Sequence, residues 1–414
     1  MSPRKQPNTL FKLCVKTCIS LINSACYVIE KSYPENKFGD CEREAYALKC
    51  HLMSMLPARL FDVLCLERTC CQYRGDPRIQ LHVLTHPKMT VFRKCDLDND
   101  AGLYSIVNLK QLRILAMDPP RNERANRIGR CVSQAGIIML ISELPYLEEL
   151  RIESCDIGAT LITTVVDIGP LSLKKINCHF ASGEGIKKLI KICPYLKELS
   201  VTHLSAHNKD AILEQLALSD LRLTRLDLSF FFYSDSMQRL LAVKGSYLTH
   251  FSLWEIEHSL TLEAIVSIGV HCPNLVTLCL MTQSKCLVTP RYFKKPDNIF
   301  RQLRNLTIGN DNYNIHSILT FFLDCTDNLQ KLILKYQTKI NIDDTLLQLI
   351  QKGKLKKLNC LWLDCTLEVS KEVVKQVIQH CEHLQMFTVD FTEDISDMQK
   401  YICENNLDIK LGGY

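Results

Sequence analysis

Glycine is scarce in this chain, 15 residues in 414. That is about half the usual share and disfavours glycine-rich loops and sheet-heavy designs. No two of the 21 cysteines are spaced CxxC, which excludes zinc-ribbon and thioredoxin-type sites. Their number is odd and they are scattered, several inside apolar patterns. They read as small hydrophobes in a reducing compartment, cytoplasmic or nuclear. No run of eighteen apolar residues is present, so no membrane span is predicted. Arg4 and Lys5 precede an apolar stretch in loose imitation of a secretory signal. However, Lys12 and Lys16 interrupt that stretch and no clean small-residue cleavage site follows, so secretion is not expected. A net charge of +5 falls well short of a nucleic-acid-binding signature. GxSxG, P-loop and HExxH motifs are missing and the 12 histidines show no metal spacing, so no catalytic residue, metal or cofactor is expected.

What is present describes an ordinary globular protein, 47% hydrophobic and 23% charged, which rules out wholesale disorder. A chain of this length holds about two to four domains and needs no disulfide or metal staples.

An internal repeat organises most of it. LPYLEELRIESC places Leu147, Leu150, Ile152 and Cys155 in the register LxxLxLxxC. The register recurs with Leu196, Leu199 and Val201, with Leu223, Leu226 and Leu228, and with Leu275, Leu278 and Leu280. Weaker copies begin at Leu112, Leu173, Leu248, Leu303, Leu329, Leu358 and Leu384, and adjacent anchors lie 23 to 35 residues apart. A degenerate twelfth copy uses Phe92, Cys95 and Leu97. The alternating residues of LxL point inward from a short strand while those between them face solvent. Helical patterns follow, opening near Ser133, Gly183, Asp210, Asp235, Leu262, Asp343 and Ser370. Several of these openings are good N-caps, with apolar residues three and four apart behind them. The predicted fold is an α/β leucine-rich-repeat solenoid of about 11–12 repeats with its strands on the concave side. Residues 86–400 form it, and 401–414 form a C-terminal cap. Cys193 and Cys272, each opening a Cys-Pro-x-Leu repeat, resemble the long cysteine-containing repeats of ubiquitin-ligase receptors, over roughly residues 90 to 400.

Residues 8–75 follow a different pattern and read as a small three-helix module behind a disordered stretch, 1–7. Leu10, Leu13, Cys14, Thr17, Cys18, Leu21 and Ile22 form a helical stripe, and Pro34 and Gly39 punctuate the chain after it. A second helix runs from near Asp40 to about Met55, and Pro57 sits at a helix start, where a missing N–H costs nothing. TLFKLCVKTC is similar to an elongin-C-binding box: Thr9, Leu10 and Cys14 match it, and Cys18 stands where Ala, Ile, Leu or Val is usual. LPARLFDVL matches a cullin-2-binding box through Leu56, Pro57, Leu60 and Leu64. The two boxes in this order, ahead of leucine-rich repeats, resemble the Zyg-eleven-like receptors of cullin-2/elongin ubiquitin ligases. The resemblance implies a non-catalytic receptor that holds elongin C and cullin-2 by its N-terminal helices and a protein substrate on the concave face. Each box needs only an amphipathic helix that docks in a hydrophobic groove. Two alternatives stay open. One is an F-box opening at Leu56 and Pro57 with the Skp adaptor as partner, although its usual Trp and Val-Cys segment are missing. The other is a repeat scaffold with no ligase role.

Several further patterns are weaker. DLDNDAG at Asp96 imitates a calcium loop, but Ala101 and Val107 stand at positions six and twelve and supply neither the turn nor the bidentate ligand. Asn305-Leu-Thr307 is a glycosylation sequon by letters only, within a predicted strand. Basic stretches carry Arg121, Arg124, Arg127 and Arg130, and Lys285, Arg291, Lys294 and Lys295. They read as solvated surface. On the strands, the third, fifth and seventh positions from each anchor face outward. They are mostly charged or polar early (Glu149, Arg151, Glu153, Lys175, His179, Glu198) and become His250, Trp254, Met281 and Trp362 later. The chain has only two Trp and both fall on this line, so Trp254, Met281 and Trp362 are the predicted substrate anchors.

Overall fold

A computed structural model describes residues 7–33, 38–67, 77–93, 103–117, 132–152, 156–164, 169–179, 182–202, 209–256, 260–282, 299–310, 315–335, 340–364, 367–389, 396–404 and 410–412. The calcium-like stretch, both basic stretches and residues 1–6 lie outside them. The chain divides into two compact units, Met1–His179 with Lys188–Leu196, and Phe180–Lys187 with Lys197–Tyr414.

The first unit opens with four helices, three of them in the range read as a three-helix module and the fourth beyond it. They are α1 (Pro7–Ser32), α2 (Phe38–Met55), α3 (Ala58–Glu67) and α4 (Pro77–Leu84). The fourth is short, yet it packs on both α1 and α2, and its Gln80 Nε2 donates to Asn23 Oδ1 of α1 in the buried interior. Strands β1 (Val91–Arg93), β2 (Ile114–Met117), β3 (Glu149–Ile152) and β4 (Lys175–His179) follow as a parallel sheet in chain order. Between and after them come α5 (Leu103–Val107), α6 (Gln134–Glu143) and α7 (Ile157–Thr163), while α8 (Gly183–Ile192) is divided between the two units. The helical module and the first repeats share a unit because α3 is tied to β1. Asp62 accepts from Thr90 N at 3.3 Å and from Thr90 Oγ1 at 3.1 Å.

The second unit carries nine parallel strands: β5 (Glu198–Thr202), β6 (Arg225–Ser229), β7 (His250–Ile256), β8 (Thr277–Thr282), β9 (Asn305–Asn310), β10 (Lys331–Lys335), β12 (Cys360–Leu363), β14 (Met386–Thr388) and β15 (Lys410–Gly412). A side pair, β11 (Ile340–Asn341) with β13 (Leu367–Glu368), is also parallel. Helices α9 (Lys209–Leu218), α10 (Asp235–Lys244), α11 (Leu262–His271), α12 (Ile315–Cys325), α13 (Asp343–Gln351), α14 (Lys371–His380) and α15 (Ser396–Glu404) alternate with them.

The in-line register follows from the repeat. Leu199, Leu226, Phe251, Leu278, Leu306, Leu332, Leu361 and Phe387 pair strand to strand, and all are buried. β5 and β10 alternate half-buried and buried residues along their whole length, because a period of two sends every second side chain into the core. The core row thus removes a continuous apolar ridge from water. Each helix covers the inner side. Gly158 of α7 is required by that packing, since a Cβ there would meet Cys178 Cα at 2.8 Å. The side chains of Ser133, Asp156, Ser234, Thr261 and Ser370 accept from the helix N–H three residues on. Ser133→Ala is expected to cost about 1 kcal/mol, and Ser133→Gly only a few tenths. Urea midpoints of the two variants check this ordering.

Candidate functional site

Two surfaces carry the predicted site residues, one in each unit. On α1 the packed stripe is Val15, Ile19, Ile22, Asn23 and Cys26, all buried. Of the helical stripe read from the sequence, Ile22 belongs to this packed side, while Leu13, Cys14, Thr17 and Leu21 are exposed. Apolar residues cover about half of the helix circumference, a wider arc than the side that packs on α2, α3 and α4. At about 100° per residue, Leu10, Cys14, Thr17, Leu21 and Val28 lie within roughly 60° of one another, on the side opposite the packed stripe. Cys14 is exposed, Leu21 is 67% and Val28 62% exposed, and Leu13 and Phe11 flank the ridge in solvent. Thr9 and Leu10 fall in the first turns of α1, and Cys18 is half-buried.

The membrane expectation also needs correction. Phe11–Ser32 of α1 is long and apolar enough to cross a membrane by length and composition, with a mean hydropathy of 1.4 over its best window. Lys12 and Lys16 interrupt the apolar run without lowering that mean below the range of spanning helices. Val15, Ile19, Ile22 and Cys26 pack inside the module, and 28% of that window is buried.

At the second box, Pro57 precedes α3, and Leu60 N–H donates to Pro57 O at 2.9 Å. Pro57 is exposed and Leu56 and Leu60 half-buried. Leu64 is fully buried with Phe61 and Cys65. The surface part of this box is therefore Leu56, Pro57 and Leu60, while Leu64 is a core side chain.

In the second unit the outward residues of β5–β10 line a cleft of about 440 Å³. The fifth repeat positions form its floor: Ser200, Asp227, Ser252, Cys279 and Thr307 stand side by side in strand register. They are small, so the floor is low. Ser252 and Cys279 are buried, and the Cys279 thiol hydrogen-bonds the Ser252 and Thr307 side chains. Burial pushes that thiol up to about 11, so it stays protonated at neutral pH. Arg225 Nε donates to Asp227 Oδ2 at 2.7 Å. His250 is depressed by burial and then by Arg225, with Glu198 and Asp227 opposing, and is therefore neutral at pH 7. The remaining charge in the lining is Lys335.

Trp254 lines the cleft and is 36% exposed. Its strand slips register between Leu253 and Ile256, a bulge of the kind that re-aims a side chain. Phe230, at φ +65°, donates its N–H to Trp254 O at 2.8 Å. A positive φ at a bulky residue is strained, and here it holds the backbone under the ring. Met281 and Trp362 are half-buried and outside the cleft lining. Met281 lies across Gly309, where any Cβ would overlap its Sδ and Cε. Trp362 pairs with Ile333 in the fifth-position row. Sequence reasoning named Trp254 but missed Asp227, Cys279, Gly309 and Lys335. Reading the fifth and seventh positions of successive repeats as rows was the signal that finds them. Among the described residues no group of three or more His, Cys, Asp or Glu is placed to hold a metal ion. Asn305 lies in β9 and donates Nδ2 to Thr277 Oγ1 at 3.0 Å.

The strand–helix repeat with its in-register leucine row defines the class: an α/β leucine-rich-repeat protein behind an N-terminal helical module. The chain is similar to a leucine-rich-repeat protein of Leptospira interrogans, at 16% identity and a TM-score of 0.26, over 82% of this chain and 93% of that one. It is similar also to the yeast Rad7 and Elc1 complex, at 14% identity and a TM-score of 0.35, over 94% of this chain and 97% of that one. No protein-family model and no curated protein matches the sequence.

Proposed function

We propose that this chain is a non-catalytic substrate receptor of a cullin–RING ubiquitin ligase. α1 docks elongin C, the surface of Leu56, Pro57 and Leu60 meets cullin-2, and the strand face holds the target protein. The observation that carries this reading is the outward ridge of α1. Apolar side chains left in water on a helix that already packs by its other side are the geometry of helix-in-groove recognition. Cys14 of the elongin-type pattern lies on that ridge. Catalysis would be proximity, a charged conjugating enzyme held near a target lysine. The cytoplasm or nucleus suits the buried free thiols.

Affinity recovery from a soluble extract, scored for elongin C, cullin-2 and the Skp adaptor, tests the assignment. Recovery of elongin C with cullin-2 supports it. The Skp adaptor alone would favour the F-box alternative, neither partner would favour a plain scaffold, and a chain found only in membranes would overturn the docking role of α1.

Thiol labelling adds a footprint. Burial pushes Cys26, Cys193, Cys272 and Cys381 up to about 12, whereas Cys14, Cys50 and Cys403 are exposed. Alkylation needs an accessible thiolate. Mild iodoacetamide is therefore expected to modify Cys14, Cys50 and Cys403 first among the described cysteines. Bound elongin C should slow Cys14 at least tenfold and leave Cys403 unchanged, read by peptide mass spectrometry.

A further inference from the structure

The cleft on β5–β10 has a chemistry that narrows what fits it. On bulged β7 stands an exposed indole, Trp254. The floor from there to β10 carries the hydroxyls of Ser252 and Thr307 and the protonated thiol of Cys279, with Asp227 on the far side of Trp254. On β10 stands Lys335, which makes no ion pair among the described residues, whereas Arg225 is already held by Asp227. Trp254 and Lys335 are three strand steps apart in the sheet. At about 4.8 Å per step that is roughly 14 Å, the reach of about four extended residues at 3.4 Å each. A single small anion contacts only one of these two groups. A chain laid across the strands contacts both and meets hydrogen-bonding side chains between them.

We infer that this cleft binds an extended acidic peptide segment of the partner protein, with an apolar side chain on Trp254 and a carboxylate four residues further along at Lys335. The inference rests on the reading of the repeats as a recognition surface and names the class of partner that surface takes. The indole supplies a large, rigid contact, the kind of group that dominates binding energy. Lys335 supplies charge complementarity and direction. The hydroxyl row accepts and donates without demanding particular intervening side chains.

The test uses the full chain without elongin C or cullin and two labelled pentapeptide pools followed by fluorescence anisotropy. Both pools carry Leu, Ile or Phe first and Ser, Gly or Ala in the middle. One ends in Asp or Glu, the other in Lys or Arg. The acidic pool is expected to bind at least tenfold more tightly. Lys335→Glu should reverse that preference, a result no loss of folding produces. Trp254→Ala should weaken the acidic pool at least tenfold. Gly309→Val should do the same by driving Met281 into the cleft, with the circular dichroism spectrum unchanged. Equal binding of the two pools, a preference untouched by Lys335→Glu, or displacement of the acidic pool by millimolar inorganic phosphate would each overturn the inference. Because no ligase subunit is present, failure here leaves the docking role of α1 standing. Failure of elongin C recovery likewise leaves the peptide result standing.

Discussion

Cys14→Arg combined with Leu21→Arg is expected to reduce elongin C capture at least a hundredfold without changing the thermal midpoint. Both residues are exposed on the outward ridge of α1, so in the isolated chain the arginines stay solvated and cost nothing. In a complex the ridge enters a hydrophobic groove, and each guanidinium would have to leave water without a partner. A hundredfold loss corresponds to about 2.7 kcal/mol, well within the penalty for two desolvated cations. Ile19→Arg is the control with the opposite outcome. Ile19 is fully buried on the packed side of the same helix, and an unpaired charge there should destabilise the module by about 4 kcal/mol or more. Leu10→Ser with Cys14→Arg tests the box pattern itself and should match the first variant. Capture and melting are measured on the same preparations. Unchanged capture in the ridge variant would remove α1 from the interface, and early melting would mean that the ridge is part of the core.

These two surfaces differ in how far the amino-acid order reveals them. The repeat is legible because a single physical rule, inward leucines on a two-residue period, recurs at each anchor from Leu112 to Leu384, and the paired register reproduces that row. Cap residues such as Ser133 and Ser370 are legible for the same local reason. Helix α7, only seven residues long, gives too short a stretch for a clear period. α1 is ambiguous despite its length. Its apolar residues span about half of the circumference, and the choice of Val15, Ile19, Ile22 and Cys26 as the inner face is made by α2–α4. The β15 strand carries too short a pattern to announce itself. The cleft is the least legible feature. It depends on small residues from five successive strands, on a bulge beside Trp254 and on one missing side chain at Gly309. None of these is a motif within a single repeat.

Phe322→Ala is expected to give the largest loss of stability available from a single truncation in the second unit. Phe322 of α12 is fully buried. Its ring lies 5.3 Å from that of Phe300, tilted at 49°, and 5.6 Å from that of Phe321, edge-on at 73°. Removing it forfeits the transfer free energy of the ring and two aromatic contacts, and leaves a cavity that the flanking strands cannot close without losing their register. Together these amount to about 3–5 kcal/mol. Phe300 sits at φ +57°, so its backbone is itself held by the packing that Phe322 completes, and relaxation around the hole is limited further. In a stack of repeats each unit leans on its immediate neighbours. The damage should therefore appear as faster hydrogen exchange in α11, α12, β9 and β10, with the amides of α1–α4 unaffected. Phe322→Leu keeps most of the volume and should lose less than half as much. A loss below 1 kcal/mol by urea titration would show that the aromatic cluster is dispensable. Exchange that accelerates equally in α1–α4 would show that the helical module depends on this part of the repeat core, and elongin C capture by the same variant would then fall as well.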